Sequence, residues 1–450
     1  MSVVYTSAEN CSDKVDKLKV NKIDVDCELS GKGDYSLPVE KRLSPLVGLE
    51  PIGQVCRKLV LGKLQRLSSG SLLIRDTHSE HRFGSTDEIT PAVTIDVLDN
   101  RFYRQIVFGG GLGAAESYIQ GRWDASHLID AMRMFARNMD VLAGIEQGGS
   151  QWLRPLRVAA NWLRQNTRKG SRRNISAHYD LSNKFFALML DPTMTYSSGY
   201  FATAESSLQE ASIEKYDRIC RKLQLSADDH VLEIGTGWGG FAEHAAKKFG
   251  CRITTTTISN EQYAYAEKRF HAAGLKSQVT LLRDDYRDLR GKFTKLVSIE
   301  MIEAVGEKYL PLFFAKCSEL LLPNGAMCLQ AIVLPDYRYA SYRRSVDFIQ
   351  RHIFPGGFLP SMLAIAGCVA QQTNFRFVHT EDFGHHYATT LARWREQFWK
   401  NIESIRELGF DERFIRTWHY YLCYCEAGFR EQQIGVSQLV LTKPGCRQLI

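Results

Sequence analysis

The chain has 450 residues, 44% hydrophobic, 24% charged and 11% aromatic. That length suggests two domains, and that balance excludes a collagenous, coiled-coil or wholly disordered protein. Lysine and arginine number 57 against 50 acids, a formal charge of +7 that favours an anionic partner. The 11 cysteines are scattered, with no CxxC and no paired ligand spacing, which argues against a disulfide framework and against a metal site. No stretch reaches the roughly 18 apolar residues of a spanning helix, and the start MSVVYTSAENCSD lacks a basic region followed by an apolar one, so a cytoplasmic protein is expected.

Residues 1–44 are polar, with charges of both signs and no sustained period, and read as a mobile or weakly ordered leader. Residues 45–145 read as a small α+β domain. SLLIRD, AVTIDV and FYRQIVF are strand-like, and a glycine cluster leads into helices near 112–119 and 126–138. Residues 146–176 form a basic linker. No acid lies between Glu146 and Asp180, while Trp152, Leu153, Leu156, Ala159, Trp162 and Leu163 recur at helical spacing among arginines. Such a helix either packs its tryptophans on its own protein or meets an anionic membrane or nucleic acid.

Residues 177–450 are read as one domain in which, from 230 onward, strands and helices alternate in a doubly wound α/β pattern. Strands are expected at 230–234, 251–257, 279–283, 295–299 and 326–333, with helices at 241–249, 260–273 and 309–321. The repeat is then interrupted around 334–357 by a long polar and aromatic insertion, of the kind that covers active sites as a lid. Two helices follow, at 387–406 and 411–431, flanked by the strand-like FRFVHT and QLVLT.

The segment Val231-Leu232-Glu233-Ile234-Gly235-Thr236-Gly237 puts a glycine turn between a strand and a helix. Gly235 and Gly237 let backbone approach a nucleotide-like ligand at the carboxyl end of a parallel strand. Glu233 is placed to accept from an ammonium group. The spacing is not the GxGxxG of dinucleotide binders and fits the E/D-x-G-x-G turn of S-adenosylmethionine-dependent methyltransferases. The next strand ends without an acid for ribose hydroxyls, so Thr257 and Gln262 are the neutral substitutes. Asp285 and Tyr286, after the third strand, are expected at the adenine, with Tyr286 stacking.

Seven blocks taken together, HYDLSNKFFALMLDPTMTYSSGYF, VLEIGTGWGGF, TTISNEQ, DDYRDL, SIEMIEAVG, IFPGGFLPS and HHYATTLARW, resemble the cyclopropane-fatty-acyl-phospholipid synthases and related lipid C-methyltransferases. The likeness runs from about 45 to 445. It implies a Rossmann-like, seven-stranded class I methyltransferase domain behind a small α+β lipid-handling domain. It also implies methyl transfer from S-adenosylmethionine to a cis double bond of an unsaturated phospholipid acyl chain, giving cyclopropane or methyl-branched or methylene products. By resemblance, Tyr196, Ser197, Gly235, Gly237, Thr257, Ile258, Gln262 and Tyr286 bind the cofactor, while Glu303 and Tyr387 sit at the reacting centre. A methylated alkene is cationic, so a tyrosine face and a placed carboxylate suit that centre.

Two departures concern bicarbonate, which the family holds as general base. A family cysteine is Ser198 here, and a histidine common in bacterial members is Gln330; Ile332 still matches. The resemblance therefore implies an anion site that is weakened or differently built, which leaves the product open and, if the anion is poorly held, gives non-cyclopropane product at least in part. The implied partners are acyl chains and an anionic membrane surface, with peripheral attachment at its inner face and no nucleic acid; a homodimer is compatible with the sequence. The alternatives are a nucleic-acid or small-molecule methyltransferase and a non-catalytic lipid-binding protein. The absence of an NPPY-type loop or a Pro-Cys nucleophile weighs against the nucleic-acid reading.

Overall fold

The computed structural model describes residues 51–85, 92–141 and 182–447, all within one compact unit spanning Ser36–Ile450. The leader at 1–44 and the basic segment at 146–176 lie outside the described residues.

The first layer is a four-stranded sheet of β1 (Ser71–Arg75), β2 (Glu80–Gly84), β3 (Val93–Val97) and β4 (Trp123–Ala125), ordered β2-β1-β3-β4. Helices α1 (Pro51–Leu64), α2 (Arg101–Ile119) and α3 (Leu128–Arg137) accompany it. FYRQIVF, expected as a strand, belongs to α2. The turn before it decides this: Asp99 Oδ1 accepts from the Arg101 amide at 2.9 Å and the Asp99 carbonyl accepts from the Phe102 amide at 3.0 Å. A helix then starts, burying Phe102, Tyr103 and Val107, and it kinks at Gly110, whose φ is +59°.

The second layer opens with α4 (Asn183–Met189) and α5 (Leu208–Lys222), the latter started by a Ser207/Glu210 capping box. The large sheet then forms from β5 (His230–Ile234), β6 (Arg252–Thr256), β7 (Val279–Leu282), β8 (Phe293–Ile299) and β9 (Leu321–Val333), which run parallel. Its connections are α6 (Gly240–Phe249), α7 (Asn260–Ala272) and α8 (Leu310–Leu320). Near-continuous apolar strands such as HVLEI follow from burial on both faces. With β10 (Arg376–Asp382) and β11 (Gly435–Thr442) the order is β7-β6-β5-β8-β9-β11-β10; β11 is antiparallel to both its neighbours. Chain order reverses between β5 and β8, which opens a crevice at their carboxyl ends.

Between β9 and α10 (Met362–Gln372) the insertion contains α9 (Asp336–Tyr342) and a π-turn at Ile349–Ile353. It is tied down. Arg338 Nη1 donates to the carbonyl and Oε1 of Gln433, and Phe348 meets Tyr420 edge-on at 4.7 Å. The helix expected at 387–406 is two, α11 (Gly384–Lys400) and α12 (Ile402–Glu407), joined at Asn401, whose side-chain amide donates to Leu188 O and Gln397 O. The last helix, α13 (Glu412–Arg430), lies between the layers. Its buried Arg416 donates to the carbonyls of Tyr118 and Trp123 at 2.6 and 2.8 Å and pairs with Asp124 at 3.1 Å.

Candidate active site

The crevice is built first by the turn after β5. Gly235 has φ +106° and Gly237 φ +53°, conformations glycine adopts without penalty. A Cβ on Gly235 would stand 3.1 Å from that of Met301, whereas a Cβ on Gly237 would meet nothing within 4 Å. Gly235 is therefore favoured by its positive φ and by tight packing on Met301, and Gly237 borders open space.

Glu233 is 2% exposed, and its Oε2 accepts from Thr255 Oγ1 at 2.5 Å. Burial pushes its carboxyl up to about 8, against the pull of Thr255 and the Lys215 ammonium. A cation brought beside it would reverse that shift. At the tip of β6, Thr257 Oγ1 donates to Gln262 Oε1 at 2.9 Å, both residues being buried, and the half-buried Ile258 lies between Thr257 and α7. The carboxylate expected at the adenine, Asp285, is already bound by the Arg287 guanidinium at 2.6 and 2.7 Å. Tyr286 sets its ring edge-on to Phe313 at 5.5 Å, and its buried hydroxyl has no partner among the described residues.

The segment before α5 forms the opposite wall. Tyr196 stacks on Trp394 at 5.1 Å and shares a 2.9 Å hydrogen bond with Tyr421. Ser197 Oγ accepts from the fully buried Lys215 ammonium at 2.6 Å, and burial pulls that lysine down to about 8. Ser198 turns its hydroxyl away, to the carbonyl of Gly199 at 2.9 Å, and presents its amide instead.

That amide meets a carboxylate the sequence reading passed over. Glu300, directly after β8, receives the Ser198 amide (3.0 Å) and Gln330 Nε2 (2.7 Å) on Oε1 and the Tyr387 hydroxyl (2.8 Å) on Oε2. Burial raises the Glu300 carboxyl, opposed by the Lys215 charge and these three donors. Glu303 accepts from the Ile332 amide at 2.6 Å, while its other oxygen is buried without a partner among the described residues. Burial, and then the Glu300 charge, push Glu303 up to about 8. Three donors and the Lys215 charge favour the ionised form of Glu300 against its burial, whereas Glu303 has one donor from another segment and the Glu300 charge against it. The signal was legible: EMIE carries two acids three residues apart at a strand tip, and only the second was singled out.

Tyr387 completes the centre. Its ring stacks on Phe429 at 4.4 Å and stands perpendicular to Trp394 at 6.1 Å. Burial and the Glu300 charge hold its hydroxyl protonated well above the usual range. Phe354, from the insertion, packs edge-on to Tyr421 at 6.3 Å. Two carboxylates, an aromatic wall and a glycine turn thus converge on one crevice. Among the described residues no group of acids, histidines and cysteines is arranged to hold a metal ion.

Residues 166–439 match the mycolic acid cyclopropane synthetase family. The chain is 38% identical over 399 residues to the tuberculostearic acid methyltransferase UfaA1 of Mycobacterium tuberculosis, covering 86% of this chain and 91% of that one. It is 35% identical over 354 residues to the cyclopropane-fatty-acyl-phospholipid synthase of Escherichia coli, covering 78% and 87%. Among solved structures, the mycolic acid cyclopropane synthase CmaA1 in complex with S-adenosylhomocysteine superposes with a TM-score of 0.57 at 30% identity, covering 60% of this chain and 98% of that one.

Proposed function

From the premise that this chain belongs to the mycolic acid cyclopropane synthetase family, we infer that it is an S-adenosylmethionine-dependent lipid C-methyltransferase acting on double bonds of unsaturated phospholipid acyl chains. The fold is that of a class I methyltransferase. The observation that carries the reading is the glycine turn at β5 set against a dry aromatic wall with two carboxyl groups, Glu300 and Glu303.

The residues fit the cofactor. Gly235 and Gly237 give it a backbone cradle with room beyond Gly237, Glu233 a carboxylate for its ammonium, and the Thr257–Gln262 pair neutral groups for its ribose. Tyr196, Ser197, Ile258, Asp285 and Tyr286 line the remainder. When bound, S-adenosylmethionine supplies an electrophilic methyl on a sulfonium sulfur. The protein then has three tasks. It excludes water through Tyr196, Trp394 and Phe354, it faces the cationic carbon with the Tyr387 ring, and it holds a carboxylate where a proton must leave. A desolvated tyrosine face contributes roughly 2 kcal/mol toward such a cation. Glu303, neutral near pH 7, keeps a second charge out of the centre.

Peripheral attachment to an anionic membrane at the inner face, through the basic segment 146–176, belongs to the same reading. It is supported by the +7 charge and by the fact that no described helix is long and apolar enough to cross a membrane. The test supplies the full chain with methyl-labelled S-adenosylmethionine and vesicles of monounsaturated phosphatidylglycerol. Label in the acyl chain, read by NMR of the extracted lipid, is expected; label in nucleic acid, or in no lipid at all, refutes the assignment.

A further inference from the structure

The donors expected around a bound bicarbonate are engaged by the chain itself. The Ser198 amide, Gln330 Nε2 and the Tyr387 hydroxyl all point at Glu300, and the Ile332 amide points at Glu303. A free bicarbonate would have to displace a side-chain carboxylate from three hydrogen bonds, so the site does not fit that anion.

The polarity of the surrounding amides says what the site was built to hold. Lys222 Nζ can only donate, and it donates to Gln438 Oε1 at 2.6 Å. Gln438 must then turn its nitrogen to Gln330 Oε1 (3.0 Å), which turns the Gln330 nitrogen to Glu300. Both glutamines are fully buried. The chain of three side chains thus ends in a donor, and the acceptor it meets is the Glu300 carboxylate. Glu300 also adopts φ +48°, a left-handed conformation that strains a non-glycine residue and that persists only where the surroundings enforce it. The next residue, Met301, packs against Gly235 of the cofactor turn. The carboxylate is therefore one residue from the cradle and shares Tyr387 with the aromatic wall.

We propose that Glu300 is the built-in general base of the reaction and makes turnover independent of bicarbonate. The proposal rests on the methyltransferase reading above. As the alkene π pair forms the new C–C bond to the methyl, the C–S pair remains on sulfur and the second alkene carbon becomes cationic. Glu300 takes one proton from a neighbouring carbon. If that carbon is the new methyl, the released C–H pair closes a cyclopropane; if it is a chain carbon, the pair forms a double bond. The neutral Glu300 acid then returns its proton to water after product leaves. No oxidant or reductant is needed.

The first arm of the test compares the native full chain in carbonate-stripped buffer and in buffer with added bicarbonate, on monounsaturated phosphatidylglycerol vesicles. Equal rates are expected; a rate that collapses on stripping and returns with bicarbonate overturns the proposal. The second arm uses Glu300→Gln, which keeps size, and Glu300→Gly, which relieves the left-handed strain. Each should lose roughly 10²- to 10⁴-fold in kcat while S-adenosylmethionine affinity by calorimetry is kept, and added bicarbonate or formate should restore part of the rate to Glu300→Gly only. Undiminished activity of Glu300→Gln overturns the assignment. The third arm needs no turnover: ¹³C NMR of labelled bicarbonate should show binding to Glu300→Gly and none to the native chain. If no lipid is methylated at all, the function fails, yet this arm still decides what occupies the anion site: native binding refutes a built-in carboxylate, and binding only by the glycine variant supports it.

Discussion

At the scale of single residues the chemistry turns on carboxyls kept neutral by burial. Glu233 and Glu303 hold their protons up to about 8 in the folded chain, whereas unfolded carboxyls release them near 4.5. Folding therefore takes up protons between those values, and stability falls as pH rises from about 4.5 through about 8. Glu303→Gln removes one of the two groups, so its melting temperature should gain on the native chain as pH rises across that window; an unchanged difference contradicts the assignment. Glu233 gives a second prediction. Pairing with the cofactor ammonium requires its ionisation, so binding near pH 7 should release a proton, and the calorimetric enthalpy should vary with the ionisation enthalpy of the buffer. Glu233→Gln should abolish that dependence. Gly237→Val should weaken cofactor binding severely, because its side chain fills the open space beside the turn, with a stability loss of about 1–2 kcal/mol from the left-handed φ. The glycine turn and Glu233 stand out in the sequence because turn chemistry is local, whereas Tyr387 is singled out there only by the family resemblance. For Glu300 the acid at the strand tip was visible in EMIE, but its three donors were not, because they come from segments about 100, 30 and 87 residues away and sequence neighbours carry no trace of such convergence. For Ser198 the sequence shows only the side chain that replaces a family cysteine, whereas the structure turns that hydroxyl to the Gly199 carbonyl and presents the amide to Glu300.

At the scale of elements, α11 and α13 carry the aromatic wall, α11 with Tyr387 and Trp394 and α13 with Tyr421 and Phe429. Tyr387→Phe keeps the ring on Phe429 and removes one donor to Glu300. The expected outcome is a kcat reduced roughly 10- to 100-fold with KM little changed, and a pH profile moved upward as Glu300 becomes harder to ionise. Loss of binding without loss of kcat would place the tyrosine elsewhere. The doubly wound strands and helices were legible because buried parallel strands and capped helices repeat strongly. FYRQIVF was misread because β-branched and aromatic residues favour a strand locally, while the Asp99 turn and packing against the sheet favour a helix. The split at Asn401 was invisible because both halves keep helical spacing; only the Leu188 carbonyl, from a distant segment, fixes it.

For the whole molecule, the charge of +7 predicts salt-sensitive adhesion. Binding of the full chain to anionic vesicles should weaken as ionic strength rises, because exposed charges are screened over about 8 Å at physiological salt; equal binding to neutral vesicles refutes electrostatic attachment. The two layers are locked by Arg416, whose guanidinium serves two carbonyls and Asp124 and lies 3.9 Å over the Tyr118 ring. Its replacement by methionine should cost roughly 3 kcal/mol, since it leaves two buried carbonyls and a half-buried carboxylate without their donor, and should expose the small-sheet layer to protease. This lock also imposes an order on biosynthesis. The small sheet leaves the ribosome complete, but α13 follows about 270 residues later, a delay of roughly 15–55 s at ordinary elongation rates. During that interval the surface around Tyr118 and Trp123 waits for the helix that will cover it. A nascent chain arrested before residue 412 should therefore engage holdase chaperones through this surface, and the released full-length chain should not.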